Sequence, residues 1–223
     1  MATTKKIASK KHTINDDHII TLYMNSVLEN NQRPKNVFQF CKENAIEEAD
    51  FYSFFGSFSA VKQAIWAKFF ENAIASIEKD ENYSTYTDKN KLLTLFFTLF
   101  EILTLNRSYV LFSLQENNDG LKNLKDLKQF RSLFKTFITE IIEENPSESF
   151  VKLEKITKPV FSEGAWIQFL FILKFWMDDT SKSFEKTDIV IEKSVNTVVD
   201  LLNTKPLESL FDLGKFLWKE RKM

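Results

Sequence analysis

Residues 36–59 read NVFQFCKENAIEEADFYSFFGSFS, and their pattern decides the fold. Val37, Phe40 and Cys41 fall at i, i+3 and i+4, one apolar helical face with Asn36 as N-cap. Asn44, Ala45 and Ile46 make a turn. A second helix then carries Phe51, Tyr52, Phe54 and Phe55, and Gly56 lets the backbone bend into Ser57. Helices this short do not hold their shape alone, so neighbouring helices must brace them.

The run Phe51-Tyr52-Ser53-Phe54-Phe55-Gly56-Ser57 resembles the end of the helix-turn-helix in the tetracycline-repressor (TetR) family. In that family a Leu/Phe-Tyr pair, a spacer, an aromatic pair and a small residue lead into a long fourth helix. The resemblance covers the first third of the chain in sequence and the remainder in helix order. It implies an all-α fold: a three-helix DNA-binding head (1–58) on an antiparallel helical body for ligand binding and dimerisation (59–223).

Composition narrows the function. The chain has 223 residues and a formal net charge of −1, so no global basic field points to nucleic acid. Four Gly and four Pro punctuate long helix-forming stretches, while Phe reaches 23. The lone Cys41 excludes an internal disulfide and suits a reducing cytoplasm. The basic N-terminus, MATTKKIASKKH, has no apolar run and does not read as a signal peptide. The apolar stretches 92–105 and 165–177 are interrupted by Glu101, Gln168 and Lys174 and fall short of the ~20 residues a bilayer span needs. The expectation is a soluble, cytoplasmic protein that does not span a membrane.

Working outward, residues 1–15 form a polar arm with Lys5, Lys6, Lys10 and Lys11, read either as a solvated tail or as an arm reaching DNA phosphates. Asp16 and Asp17 open the first helix, whose stripe is Ile20, Tyr23, Met24, Val27 and Leu28. A fourth helix runs over 58–78, and 80–88 is a polar loop. In the body, 92–105 reads as a helix buried on every side, followed by a short helix at 108–114 and a turn at 117–120. A helix over 121–142 carries Phe130, Leu133, Phe134, Phe137 and Ile141, and 143–159 is the longest connection. Helices at 162–178, 187–203 and 206–219 complete the body. In 187–203 the β-branched residues leave a strand open, but charged positions also repeat helically and no partner strand is evident.

Residues 177–187, MDDTSKSFEKT, carry a second resemblance, to the lipid-binding accessory protein of ubiquinone biosynthesis, which shares the TetR fold and has lost DNA binding. An Asp, a Ser and a Phe-Glu-x-Thr recur there at similar spacing. The alternative is a polar turn in which Thr187 or Ser183 caps a helix.

Enzymatic and metal chemistry finds no footing. His12 and His18 are the only histidines, so no Ser-His, Cys-His or His-rich constellation forms in the body. Gly56, Gly120, Gly164 and Gly214 are isolated and build no phosphate-cradling loop. The expectation is a non-enzyme with no catalytic residue, cofactor or metal.

Two functional readings follow. In the first, the chain is a homodimeric regulator that grips double-stranded DNA through Lys5, Lys6, Lys10, Lys11, Arg33, Lys35, Gln39, Lys42 and Tyr52. In the second, it is a TetR-fold lipid-binding or scaffold protein that no longer binds DNA. Residues 12–58 favour the second, with three cations against seven carboxylates, net −4. The second helix of the motif opens with Glu47, Glu48 and Asp50, and Phe58 stands where the family has a phosphate-contacting Lys. Either way Phe96, Phe97, Phe100, Tyr109, Phe112, Phe134, Phe137, Phe169, Phe175 and Trp176 concentrate in the helices that line the family's pocket. They form a packed core or the wall of a cavity for a large apolar ligand, such as a fatty acyl or isoprenoid chain. The family also implies a four-helix bundle across a twofold axis, with Ile191, Val195, Val198 and Leu202 as its seam.

Overall fold

The computed structural model describes residues 14–116, 124–144 and 154–202. The lysine arm, the turn at 117–120 and the last helix, 206–219, lie outside the described residues. What is described is helical: α1 Asp16–Asn30, α2 Val37–Glu43, α3 Glu48–Phe54, α4 Phe58–Ile77, α5 Asp88–Leu105, α6 Arg107–Gln115, α7 Lys128–Glu144, α8 Glu154–Asp178 and α9 Glu185–Leu202. Short 3-10 turns sit at Tyr83–Thr85, Leu124–Leu127 and Lys182–Phe184.

Local chemistry sets the head's boundaries. The Asn15 carboxamide oxygen accepts from the His18 N–H at 2.8 Å, and Asn36 does the same for Gln39 at 2.8 Å. Helix α2 ends in a reversal in which the Ile46 N–H donates to the Cys41 carbonyl at 3.0 Å, with Ala45 left-handed at φ 54°. Glycine is the usual residue at this position because a Cβ is strained there. Ala45→Gly is therefore expected to stabilise the head by about 0.5–1 kcal/mol, read as a higher urea midpoint at unchanged m.

Gly56, by contrast, has no positive φ, and a Cβ there would meet nothing within 4 Å, so the bend into α4 does not depend on glycine. The bend comes from Phe55, which is extended, and from Ser57, whose Oγ accepts the Ala60 N–H at 3.3 Å. An aromatic cluster then braces the three short elements. Phe58 lies 5.4 Å from Tyr23, 5.5 Å from Phe40 and 5.6 Å from Phe51, centroid to centroid. The contacts with Phe40 and Phe51 are edge-to-face, an arrangement that adds to the area the rings bury.

Helix α4 is the spine of the molecule. Its 20 residues pack on α1 in the head and on α5, α7 and the Leu124–Leu127 turn in the body. Val61, Ile65, Trp66, Phe69, Phe70, Ala73 and Ile77 are all buried along it.

The body departs from the sequence reading in two places. Helix α5 is not buried on every side, for Phe97 is 38% and Leu105 76% exposed. Helix α8 begins at Glu154, so Pro159 stands inside a helix rather than ending a connection. There it forfeits one backbone hydrogen bond, a loss that 25 residues of helix absorb. The helix read over 187–203 is present as α9, whose apolar stripe packs on α5 and α8. No single helix among the described residues is long and apolar enough to cross a membrane, and α5 and α6 meet at a bend of 88°.

Candidate functional site

The head presents the surface that a helix-turn-helix would use. Tyr52 on α3 is 53% exposed, its ring anchored edge-on to Phe51 at 5.4 Å. Lys35 and Lys42 are exposed, while Gln39 is half-buried and spends its amide on Glu43 Oε1 at 2.7 Å. Arg33, Lys35 and Gln39 meet around a hollow of about 130 Å³. Arg33 is drawn toward the body, with Nη1 3.7 Å from Glu116. Lys5, Lys6, Lys10 and Lys11 lie outside the described residues.

Against these cations stand Glu48 and Asp50 in the first turn of α3, with Glu47 just before it. Their field is felt at Cys41, whose thiol is pushed up first by burial and then by Glu48, Glu47 and Asp50. The structure explains Phe58 as well. Its ring is built into the head's aromatic cluster, so a packing residue occupies the place of a phosphate-contacting Lys.

The head–body junction carries an ionic clamp that the sequence did not advertise. Lys62 of α4 reaches Glu116 Oε2 at 2.9 Å and Asp126 Oδ2 at 2.9 Å, with all three side chains largely buried. Burial pulls the Lys62 pKa down, but the hydrogen bonds to both carboxylates outweigh it and hold the group above the ordinary lysine value. Tyr23 is raised by burial and then by the same two carboxylates. A cleft of about 550 Å³ opens beside this clamp, with Arg33 on the head side and Ser108, Phe112 and Glu116 on the body side.

The body aromatics divide by position. Phe96, Phe100, Tyr109, Phe134, Phe169 and Trp176 are buried, Phe112, Phe137 and Phe175 half-buried, and Phe97 is exposed. Five of the buried rings touch one another, and Tyr109 meets Phe69 of α4. Phe169 lies 5.8 Å from Phe100 and 5.6 Å from Phe134, and Phe96 is 6.1 Å from Phe134. Phe130, Trp166 and, from α4, Trp66 and Phe70 belong to the same cluster. All six rings are buried within the protomer.

Of the seam read from the sequence, Ile191 and Val195 are buried in the protomer's own core. Val198 is half-buried on the same stripe, and the side chain of Leu202 lies outside the described ones. The outward residues are instead Ile167 and Phe171 on α8, 65% and 59% exposed, with Ile189 on α9.

The stretch 177–187 forms an Asp-centred turn, and the capping group is neither Thr187 nor Ser183 but Asp179. Its Oδ1 accepts from the Ser181 N–H at 2.8 Å and Oγ at 2.7 Å. Its Oδ2 accepts from the Thr187 N–H at 3.0 Å and Oγ1 at 2.7 Å. Arg107 closes the turn from the α5–α6 break, donating to the carbonyls of Trp176 at 2.9 Å and Met177 at 3.1 Å. Its guanidinium sits between the rings of Trp176 (4.3 Å) and Phe184 (4.5 Å). Among the described residues, no group of three or more His, Cys, Asp or Glu could hold a metal ion.

No curated protein matches the chain. The family model of the tetracyclin repressor-like C-terminal domain matches residues 91–217, from the start of α5 past the end of α9. That match covers more than half of the chain and coincides with the helical body just described, so the chain belongs to the tetracycline repressor-like (TetR) family.

Proposed function

We propose that the chain is a homodimeric, ligand-responsive transcriptional regulator that binds double-stranded DNA. The observation that carries this reading is the head itself, a capped helix-turn-helix braced by aromatic rings and continuous with the body through α4. Lys35, Gln39, Lys42 and Tyr52, with the arm lysines 5, 6, 10 and 11, supply the phosphate contacts, and Arg33 joins them when its weak pairing with Glu116 is released. Dimerisation uses the outward faces of α8 and α9 at Ile167, Phe171 and Ile189. A protein that works on the genome in this way acts in the cytoplasm.

The ligand is an apolar small molecule or lipid chain. Its entry requires the packed rings of the body to part, and Trp66 and Phe70 bring α4 into that same cluster. Opening the body therefore disturbs the helix that carries the head, and a ligand preferring one seating of α4 shifts the two-state balance accordingly. The Tyr109 hydroxyl, buried with no hydrogen-bond partner among the described residues, is a donor for the polar end of such a ligand.

A second reading, a TetR-fold lipid-binding or scaffold protein without DNA, rests on the carboxylates of α3 and on Phe58. Selection of sheared genomic fragments by purified protein, eluted across a salt series, separates the two. Enrichment of a palindromic site, weakened at least about tenfold when Lys35 and Lys42 are both changed to Ala, is the expected result. A folded dimer that enriches nothing even at low salt abandons the first reading for the second.

A further inference from the structure

A groove of about 820 Å³ runs between the first turns of α4 and the stretch from the Leu124–Leu127 turn into α7. Ser59 and Gln63 form one wall, and Lys125, Lys128, Arg131 and Lys135 line the other. We propose that this groove binds a multivalent anion of the polyphosphate or phosphorylated-metabolite class.

The charge arrangement is the first argument. Lys128, Arg131 and Lys135 follow one another at i+3 and i+4, so three cations share one helical stripe and repel. Among the described residues the carboxylate facing them is Glu163 of α8, held by Arg131 at 2.7 Å and by Lys135. Those two hydrogen bonds keep the Glu163 carboxyl below the ordinary range. Asp126, next in sequence to Lys125, is turned inward to Lys62 at 2.9 Å and does not neutralise the groove. Among the described residues no carboxylate pairs with Lys125 or Lys128. The groove is thus left with a surplus of positive charge.

Preorganisation is the second. Glu163 and the Trp166 ring, 5.9 Å from the Arg131 guanidinium, hold Arg131 in place, and the guanidinium fork matches phosphate oxygens. Ser59 and Gln63 add neutral donors on the opposite wall. A recess with donors on two sides suits a compact anion better than the convex backbone of a duplex. Because one wall is α4, an occupant would tie the head-bearing helix to α7 and act on its seating. This site is separate from the proposed DNA surface and from the aromatic body.

Titration of the full-length protein with inorganic tripolyphosphate, by calorimetry and by thermal melting in about 100 mM salt, tests the proposal. The expected result is saturable binding, with a melting temperature about 3–5 °C higher at excess anion. The double change Lys125→Ala and Lys128→Ala is expected to weaken binding at least about tenfold while leaving the unliganded melting temperature in place, since both side chains are exposed. Glu163→Gln, which removes a carboxylate charge paired with Arg131 and Lys135, is expected to tighten binding. Absence of saturable binding, or equal affinity in the double variant, overturns the proposal. Loss of short non-specific duplex binding in that variant, without any tripolyphosphate binding by the parent, also overturns it and assigns the groove to DNA phosphates.

Discussion

Replacing Lys62 by Met is expected to destabilise the protein by about 3–5 kcal/mol, lowering its melting temperature by roughly 10 °C. The reason lies in what the change leaves behind rather than in what it removes. Glu116 and Asp126 are both largely buried, and Lys62 is 2.9 Å from each. Without the ammonium, two carboxylates remain close together and out of water. Arg33, at 3.7 Å from Glu116 and mostly exposed, is a weak substitute. The triple variant with Glu116→Leu and Asp126→Leu should recover most of the loss, because a buried ionic cluster replaced as a whole by apolar side chains is often neutral. Chemical denaturation of the single and triple variants checks the cycle, and a single-variant loss below about 1 kcal/mol contradicts the clamp. The pH dependence has a definite sign. The Lys62 pKa is raised in the folded state, so its contribution is complete below the unfolded lysine value near ~10.4 and fades as pH rises through the higher folded value.

Asp179→Ala carries the second large effect, an expected loss of about 2–4 kcal/mol. Four hydrogen bonds converge on this one carboxylate, two from Ser181 and two from Thr187. Removing it strands the Thr187 N–H and hydroxyl, both buried, at the start of α9 and frees a turn in which Ser183 and Phe184 have positive φ. Burial acts to raise the Asp179 pKa, but the bonds from Ser181 and Thr187 prevail and hold it at about 2. A depressed carboxylate stabilises the fold fully above its unfolded value near ~3.9. That contribution is lost as pH falls from there through about 2, and Asp179→Asn should remove much of this acid dependence. Urea titrations at pH 7 and at pH 3 measure both statements. Equal stability of wild type and Asp179→Ala at pH 7 would show that Arg107 alone holds the turn.

The two large predictions fall on residues that the sequence reading either missed or assigned otherwise, and the cause is distance along the chain. Lys62 and Glu116 are 54 positions apart, and Arg107 and Trp176 are 69 apart. No local pattern signals such a pairing. Asp179 stood inside a stretch marked as unusual, yet which of its polar residues caps α9 depends on how the turn closes against Arg107.

What was legible is local in origin. The cap at Asn36, the turn at Ala45 and the course of α1 to α4 follow from side chains bonding their own backbone and from apolar spacing over a few turns. The head's aromatic run pointed to the TetR family, whereas the family match lies in the body at 91–217, where the sequence offered helix order and the short resemblance at 177–187.

The sequence by itself thus determined an all-helical fold class, the positions of α1 to α4, and the acidic character of the motif's second helix. Tertiary structure alone decided which apolar face each element spends internally. The stripe of Ile191 and Val195 is consumed by packing on the body's core, leaving Ile167 and Phe171 outside. Five of the ten pocket aromatics close on one another, and Phe58 packs in the head's aromatic cluster. An apolar stripe states that a face is to be buried. It does not state against what, because burial is non-directional and the partner is chosen by the packing of the whole chain.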